Sequence, residues 1–241
     1  MRIPRIYHPA PLAGLQQVTL SDDASHHVGR VLRMQPGQSL ELFDGSDVRF
    51  AATILHVSKK SVQVEINDSI TDSRESSLEI HLVQGISKGD RMDFVLQKSV
   101  ELGVTSITPV FTQRCNVKLN QERLARKQDQ WRKIVLGACE QSGRNWVPQV
   151  RDALALPQWL QNADTSQRVI LDPYAQTRFR DIPRSAAYTL IIGPEGGFTD
   201  DEVQLLSDHQ CLGVQIGPRV LRTETAALAA ITALQSHFGD F

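Results

Sequence analysis

From Leu78 to the C-terminus short apolar runs alternate with stretches of helical spacing, and this alternation restricts the fold more than any other feature of the chain. The run "LEIHLVQG" precedes "DRMDFVLQKSVELG", where Met92, Val95, Leu96, Ser99 and Val100 keep a helical repeat between Asp90 as N-cap and Gly103 as stop. Then come "SITPVF", a long helix through "QERLARKQDQWRKIVLGACEQSG", and strands near residues 169–171 and at Leu190. The end, "GVQIGPRVLRTETAALAAITALQSHF", reads as a short strand, a turn and a closing helix with Leu228, Ile231, Leu234 and Phe238 on one face. The pattern predicts an α/β fold with a mostly parallel sheet covered by helices.

Before residue 78 the period is different. Across residues 40–66 Val48, Phe50, Ala52 and Ile54 alternate on one face, then Val62, Val64 and Ile66 on another strand, with turns at Asp44-Gly45 and Lys59-Lys60. A small, mainly antiparallel β domain is expected there. The polar stretch "NDSITDSRESS", residues 67–77, reads as a linker, which divides the chain into domains 1–72 and 73–241.

With 241 residues, 41% of them hydrophobic, the chain has enough apolar content for a proper core and is neither disordered nor fibrous. Lys plus Arg total 26 against 27 Asp plus Glu, so nucleic-acid binding has to rest on a local basic patch. Cys115, Cys139 and Cys211 form an odd set without C-x-x-C, which suits small core residues in a reducing compartment and gives no metal site. The N-terminal "MRIPRIYHPAPL" lacks the apolar stretch of a signal peptide, and no run is long enough to span a bilayer. A cytoplasmic protein with no membrane partner is expected.

The stretch "LIIGPEGGFTDDE" ends a buried strand at Ile192, follows it with Gly193-Pro194-Glu195-Gly196-Gly197, and starts a helix with the capping box Thr199-x-x-Glu202. The two glycines imply a loop whose backbone closely approaches something. Strand, glycine loop and helix start are the usual frame of a phosphate site. Here, however, no phosphate-binding lysine is present, and Glu195, Asp200, Asp201 and Glu202 already occupy the positive end of the helix dipole. The ligand expected is neutral or cationic.

Ile192-Gly193-Pro194 recurs as Ile216-Gly217-Pro218, each copy ending an apolar run shortly before a helix start. Two such exits at the carboxyl ends of strands point to one shared pocket, with Leu171-Asp172-Pro173 as a weaker third exit. Arg222-Thr223-Glu224-Thr225 sets a cation and a carboxylate beside it. A cation just before a helix gains nothing from the dipole, so Arg222 calls for either a functional role or an ion pair with Glu195 or Glu224.

Near the N-terminus "SDDASHHVGRVLRM" reads as a helix capped at Ser21 or Asp22 that buries Val28, Val31 and Leu32. His26, Arg30 and Arg33 then share a polar face, and with Arg2 and Arg5 make the clearest basic cluster of the chain. A solvated helix face is the other meaning of such a row.

The segments "LIIGPEGGFTDDEV", "IGPRVLRTETAALAAITALQ", "DRMDFVLQKSVELGV", "CEQSGR" with "VPQV", and "HHVGRVLRM" together resemble, in order and spacing, the RsmE family of 16S rRNA uridine-N3 methyltransferases. The resemblance covers nearly the whole chain. It implies a C-terminal SPOUT-type parallel α/β sheet with a trefoil knot, and a small N-terminal PUA-like β-barrel domain that binds RNA. It implies S-adenosylmethionine as cofactor, a homodimer, and uridine 1498 of 16S rRNA in the 30S ribosomal subunit as target. Cofactor contacts carried over by position are Leu171, the stretch Ile192, Gly193, Pro194, Glu195, Gly196 and Gly197, then Ile216, Gly217, Leu221, Arg222, Thr223, Glu224, Thr225 and Ala226. Arg222 is the candidate for stabilising negative charge on the uracil carbonyls, and Glu195 a base or cofactor-orienting group. Arg2, Arg5, His26, Arg30 and Arg33 are the RNA-binding candidates. Two rivals remain: a non-catalytic RNA-binding protein, which would carry a damaged glycine loop, and a nucleotide-phosphate enzyme, which would need the missing lysine.

Overall fold

A computed structural model describes residues 3–117, 119–162 and 165–241. The chain separates into two compact units. The first comprises Met1–Glu75 together with Cys139–Val147, and the second Ser76–Ala138 with Pro148–Phe241.

The first unit contains β1 (Arg5–Tyr7), β2 (Gln17–Thr19), α1 (Asp22–His26), β3 (Ser39–Phe43), β4 (Val48–Val57) and β5 (Val62–Thr71). These strands form one sheet in the order β1-β3-β4-β5-β2, antiparallel except for β1 beside β3. The alternation seen in the sequence is the core: Leu40, Leu42, Phe50, Ile54, Val62 and Val64 point inward. Each such side chain contributes about 1.5–3 kcal/mol on burial. Strand β5 continues to Thr71, opposite Val48, so the first five residues of the expected linker, 67–71, are strand. Ladder pairing needs backbone groups rather than apolar side chains, and residues 67–71 are exposed.

Helix α1 is shorter than expected. Ser21 caps it, its Oγ accepting from the Ala24 N–H at 3.3 Å, but from His27 to Val31 the chain makes a π turn. The wider turn breaks the 3.6-residue spacing, so Val28 is buried while Val31 and Leu32 are 59% and 40% exposed. Arg33 lies beyond the turn with φ 53°. His26, Arg30 and Arg33 are all exposed but do not form one regular helix face.

The second unit runs β6 (Glu79–Gly85), α2 (Asp90–Glu101), β7 (Ser106–Phe111), α3 (Gln121–Ser142), β8 (Gln149–Val150), β9 (Leu154–Ala155), α4 (Leu156–Leu160), β10 (Gln167–Leu171), β11 (Thr177–Arg178), β12 (Ala187–Ile192), α5 (Asp200–Asp208), β13 (Leu212–Gln215) and α6 (Thr223–Phe238). The end of α3 and the following turn, from Cys139, cluster with the first unit. The strand order is β11-β13-β10-β12-β6-β7-β8, with β9 beside β7, and every pairing is parallel. All-parallel pairing agrees with the near-continuous apolar content of "YTLII" and "LVQG". Strand β12 lies between β10 and β6 although it follows β10 in the chain, so the carboxyl ends of β6, β12 and β10 stand side by side. Helix α2 buries Met92, Val95, Leu96, Ser99 and Val100 as its repeat requires, but its N-cap is Gly89 at φ 64° and Asp90 is the first helical residue.

Candidate functional site

A cavity of about 670 Å³ opens at these strand ends, lined by residues 170–174 at and beyond the end of β10, 192–198 at and beyond the end of β12 and 220–224 at the start of α6, with Arg91, Arg114, Asp200, Val203 and Ala226. Ligands in parallel sheets bind outside the carboxyl ends of strands, where the order reverses. Of the residues expected at the cofactor, Leu171, Ile192, Gly193, Pro194, Glu195, Gly196, Gly197, Leu221, Arg222, Thr223, Glu224 and Ala226 line it. Ile216, Gly217 and Thr225 do not. The exit at Leu171-Asp172-Pro173, the weakest in sequence, is a full wall of the cavity, whereas the repeated Ile-Gly-Pro at 216–218 is not.

The glycine loop is held from several sides. A Cβ on Gly85, at the end of β6, would stand 2.5 Å from the Pro194 nitrogen, so β6 and the loop meet backbone to backbone. A Cβ on Gly196 would stand 2.9 Å from the Arg114 Cβ, and Arg114 Nη1 donates to the Gly196 carbonyl at 3.0 Å. This is the close approach expected of the pair. Gly197 has a different reason: nothing lies within 4 Å of its would-be Cβ, but its φ of +66° is a left-handed conformation, and its N–H closes a turn onto the Pro194 carbonyl at 2.9 Å. Thr223 Oγ1 donates to the Gly193 carbonyl at 2.6 Å and accepts from the buried Gln84 Nε2 at 2.9 Å, which joins the ends of β6 and β12 to the start of α6. At α5 the capping box forms: Glu202 N–H donates to Thr199 Oγ1 at 3.2 Å and Thr199 N–H to Glu202 Oε2 at 3.0 Å.

The charges are arranged unevenly. Glu195 Oε1 accepts from the Lys88 N–H and from Arg91 Nη1, both at 2.9 Å. Burial by itself pushes the Glu195 carboxyl up, but N–H donation from its own backbone and from Lys88, with the Arg91 guanidinium, outweighs burial and holds it below the ordinary glutamate value. An ionised carboxylate held by such donors orients neighbours better than it accepts a proton. Arg91 Nε also stands 4.0 Å from Glu224 Oε1, while Glu224 Oε2 is buried without a hydrogen-bond partner. Thus Arg91, and not Arg222, pairs with the acids. Arg222 is exposed at the N-cap of α6, and among the described residues neither a hydrogen bond nor an ion pair engages its guanidinium. Sequence reasoning passed over Arg91, yet the dipole argument that drew attention to Arg222 applies equally to a cation in the first turn of α2. Arg114 had no such signal.

In the first unit the RNA candidates separate. Arg5 is 9% exposed in its side chain, pairs with Glu41, donates to Asn145 Oδ1 at 2.8 Å and to the Arg144 carbonyl at 3.2 Å, and stacks 5.0 Å from the Phe43 ring centroid. It is a structural cation, contrary to expectation. His26, Arg30 and Arg33 are free to meet solvent, and Arg2 lies outside the described residues. Burial pushes the Cys139 thiol up to about 12 and the Cys211 thiol up to about 11, as suits core residues. Among the described residues no helix is long and apolar enough to cross a membrane.

Residues 74–235 match the sequence profile described as an RNA methyltransferase domain, and residues 20–67 that of an RNA methyltransferase PUA domain. Over its whole length the chain is 38% identical to Ribosomal RNA small subunit methyltransferase E of Buchnera aphidicola, covering 96% of that protein. The chain belongs to the RsmE family. Two solved relatives of this family fold extend the likeness to three dimensions, each matched over 100% of both chains. One, from Legionella pneumophila, was solved with the bound cofactor SAM and has 48% identity and a TM-score of 0.97. The other, Ribosomal RNA small subunit methyltransferase E from Neisseria gonorrhoeae bound to S-adenosyl methionine, has 42% identity and a TM-score of 0.95. RsmE membership makes the chain an RNA methyltransferase and its β-rich first unit PUA-like.

Proposed function

We propose that the chain methylates N3 of one uridine of 16S rRNA, uridine 1498, within the 30S subunit, working as a cytoplasmic homodimer whose catalytic domain carries a trefoil knot. The observation that carries the chemistry is the pairing state of the cavity's charges: Glu195 is held by Arg91, Asp172 by the Tyr174 N–H, and among the described residues one buried oxygen of Glu224 has no hydrogen-bond partner and Arg222 is uncommitted. S-adenosylmethionine fits this set. A phosphate would meet Asp172, Glu195, Asp200 and Glu224, whereas a sulfonium cation with ribose hydroxyls meets carboxylates and backbone. Both solved relatives carry this cofactor. When bound, it supplies an electrophilic methyl group.

The residues of the chain do the remaining work. Uracil N3 bears a proton, and its loss puts negative charge on the flanking carbonyl oxygens, where Arg222 supplies a compensating cation. Glu195, fixed by Lys88 and Arg91, orients the cofactor side of the cavity. Because N3 lies on the pairing edge, the base reacts unpaired or flipped out. His26, Arg30 and Arg33, with Arg2, hold the RNA backbone. The test is mass spectrometry of 16S rRNA fragments from cells lacking the gene, complemented by the natural protein or by Arg222→Ala. One fragment should lack a methyl mass, regain it with the natural protein, and regain it about 10²–10³ times more slowly with the variant. Unchanged fragment masses in the deletion strain would overturn the reading.

A further inference from the structure

We propose that Tyr174 is the platform on which the target uracil stacks while it is methylated, an inference that rests on the uridine-N3 reading above. The side chain is 83% exposed at the cavity mouth. Its backbone, in contrast, is firmly held. Asp172 Oδ1 accepts from the Tyr174 N–H at 2.9 Å, the Ala175 N–H donates to the Asp172 carbonyl at 3.2 Å, and Gln215 Nε2 donates to the Pro173 carbonyl at 2.7 Å. The Asp172 N–H is itself joined to β13 through the Val214 carbonyl at 3.0 Å. An aromatic ring displayed on an anchored loop gives little to its own fold and loses little freedom when a partner covers it.

The chemistry of that partner follows from what surrounds the ring. A base drawn out of an RNA stack leaves both faces bare, and enzymes acting on such bases restore the stacking with an aromatic or apolar side chain. Phe198, the other aromatic residue of the cavity, is packed against the hydrophobic core of the second unit, so Tyr174 is the ring available for a ligand. The same cavity is lined by Arg222, which has no ion-pair partner among the described residues. A π face and a free cation are the two things a uracil losing its N3 proton needs from outside itself. The high exposure places the ring where substrate enters, rather than deeper against the cofactor.

The experiment compares the natural protein with Tyr174→Ala and Tyr174→Phe, on 30S subunits from cells lacking the gene. Three quantities are measured: kcat/KM for methylation, calorimetric affinity for S-adenosylhomocysteine, and mass by light scattering. Tyr174→Ala should lower kcat/KM about 10- to 100-fold, Tyr174→Phe should restore it to within about twofold, and cofactor-product affinity and mass should stay unchanged. Unchanged affinity also reports an intact fold. Weakened affinity for S-adenosylhomocysteine would assign the ring to the cofactor's adenine, and a lower mass would assign it to a subunit contact; either overturns the proposal. Full activity of Tyr174→Ala overturns it as well. If the natural protein itself leaves uracil N3 unmethylated, the uridine reading fails first, which is a separate outcome from the variant's behaviour.

Discussion

At Glu195 burial and hydrogen bonding act on one carboxyl group in opposite directions, and the bonds win. A carboxyl held below its ordinary value in the folded protein contributes stability that is present above the unfolded value and lost as pH falls through the folded one. Both Glu195 and Arg91 are partly exposed, so Glu195→Gln should cost about 1 kcal/mol or less at pH 7 in urea unfolding. The difference should fade on acidification below the usual glutamate range. The same lowered value keeps Glu195 ionised across the range where enzymes of this kind work. The pH–rate profile of Glu195→Gln should therefore keep whatever break reports removal of the uridine proton. Loss of that break would make Glu195 the base after all. The pair also shows what a residue-level reading can reach. Arg91 was open to discovery by the dipole argument, but Arg5 was not: its partners Glu41 and Asn145 lie 36 and 140 positions away, and nothing local announces such a pairing.

Among the elements, the end of β6 meets the glycine loop backbone to backbone. A methyl group on Gly85 would meet the Pro194 nitrogen at 2.5 Å, and because both parties are backbone neither can turn aside. Gly85→Ala should weaken S-adenosylhomocysteine binding at least about tenfold by calorimetry while far-UV circular dichroism stays native. Gly197→Ala is expected to be the milder change, since its position is open and only the left-handed backbone resists, by about 1–2 kcal/mol. Equal effects of the two would contradict this account. In sequence, Gly196-Gly197 drew attention as a doublet in a loop, whereas Gly85 was one glycine at the end of a strand, and only the tertiary neighbour distinguishes it. The parallel α/β class, the helix repeats and the capping box at Thr199 were legible because they are local periodicities. The insertion of β12 between β10 and β6 left no periodic trace, and the π turn after His26 misled the reading of Val31 and Leu32 because a 3.6-residue template has no place for it.

For the molecule as a whole, the first unit is not one continuous piece of chain. Residues 139–147 return to it after more than sixty intervening residues, and they bring Arg144, which pairs with Glu75, and Asn145, whose amide donates to the Asp72 carbonyl at 2.8 Å. Two partners of Arg5 arrive with the same stretch. A fragment ending at Glu75 would retain the β strands but leave Arg5 and Glu75 without these partners, and breaking a buried pair in this way costs about 3–5 kcal/mol. Such a fragment should give a poorly dispersed amide proton spectrum; sharp, native-like dispersion would show that residues 139–147 are dispensable. The same discontinuity sets a clock on biosynthesis. Residues up to Glu75 leave the ribosome before the second unit but cannot close until Val147 has followed, several seconds later at roughly 5–20 residues per second. By then β6, β7 and the whole of α3 have emerged, so the part made first is completed only when the second has already begun.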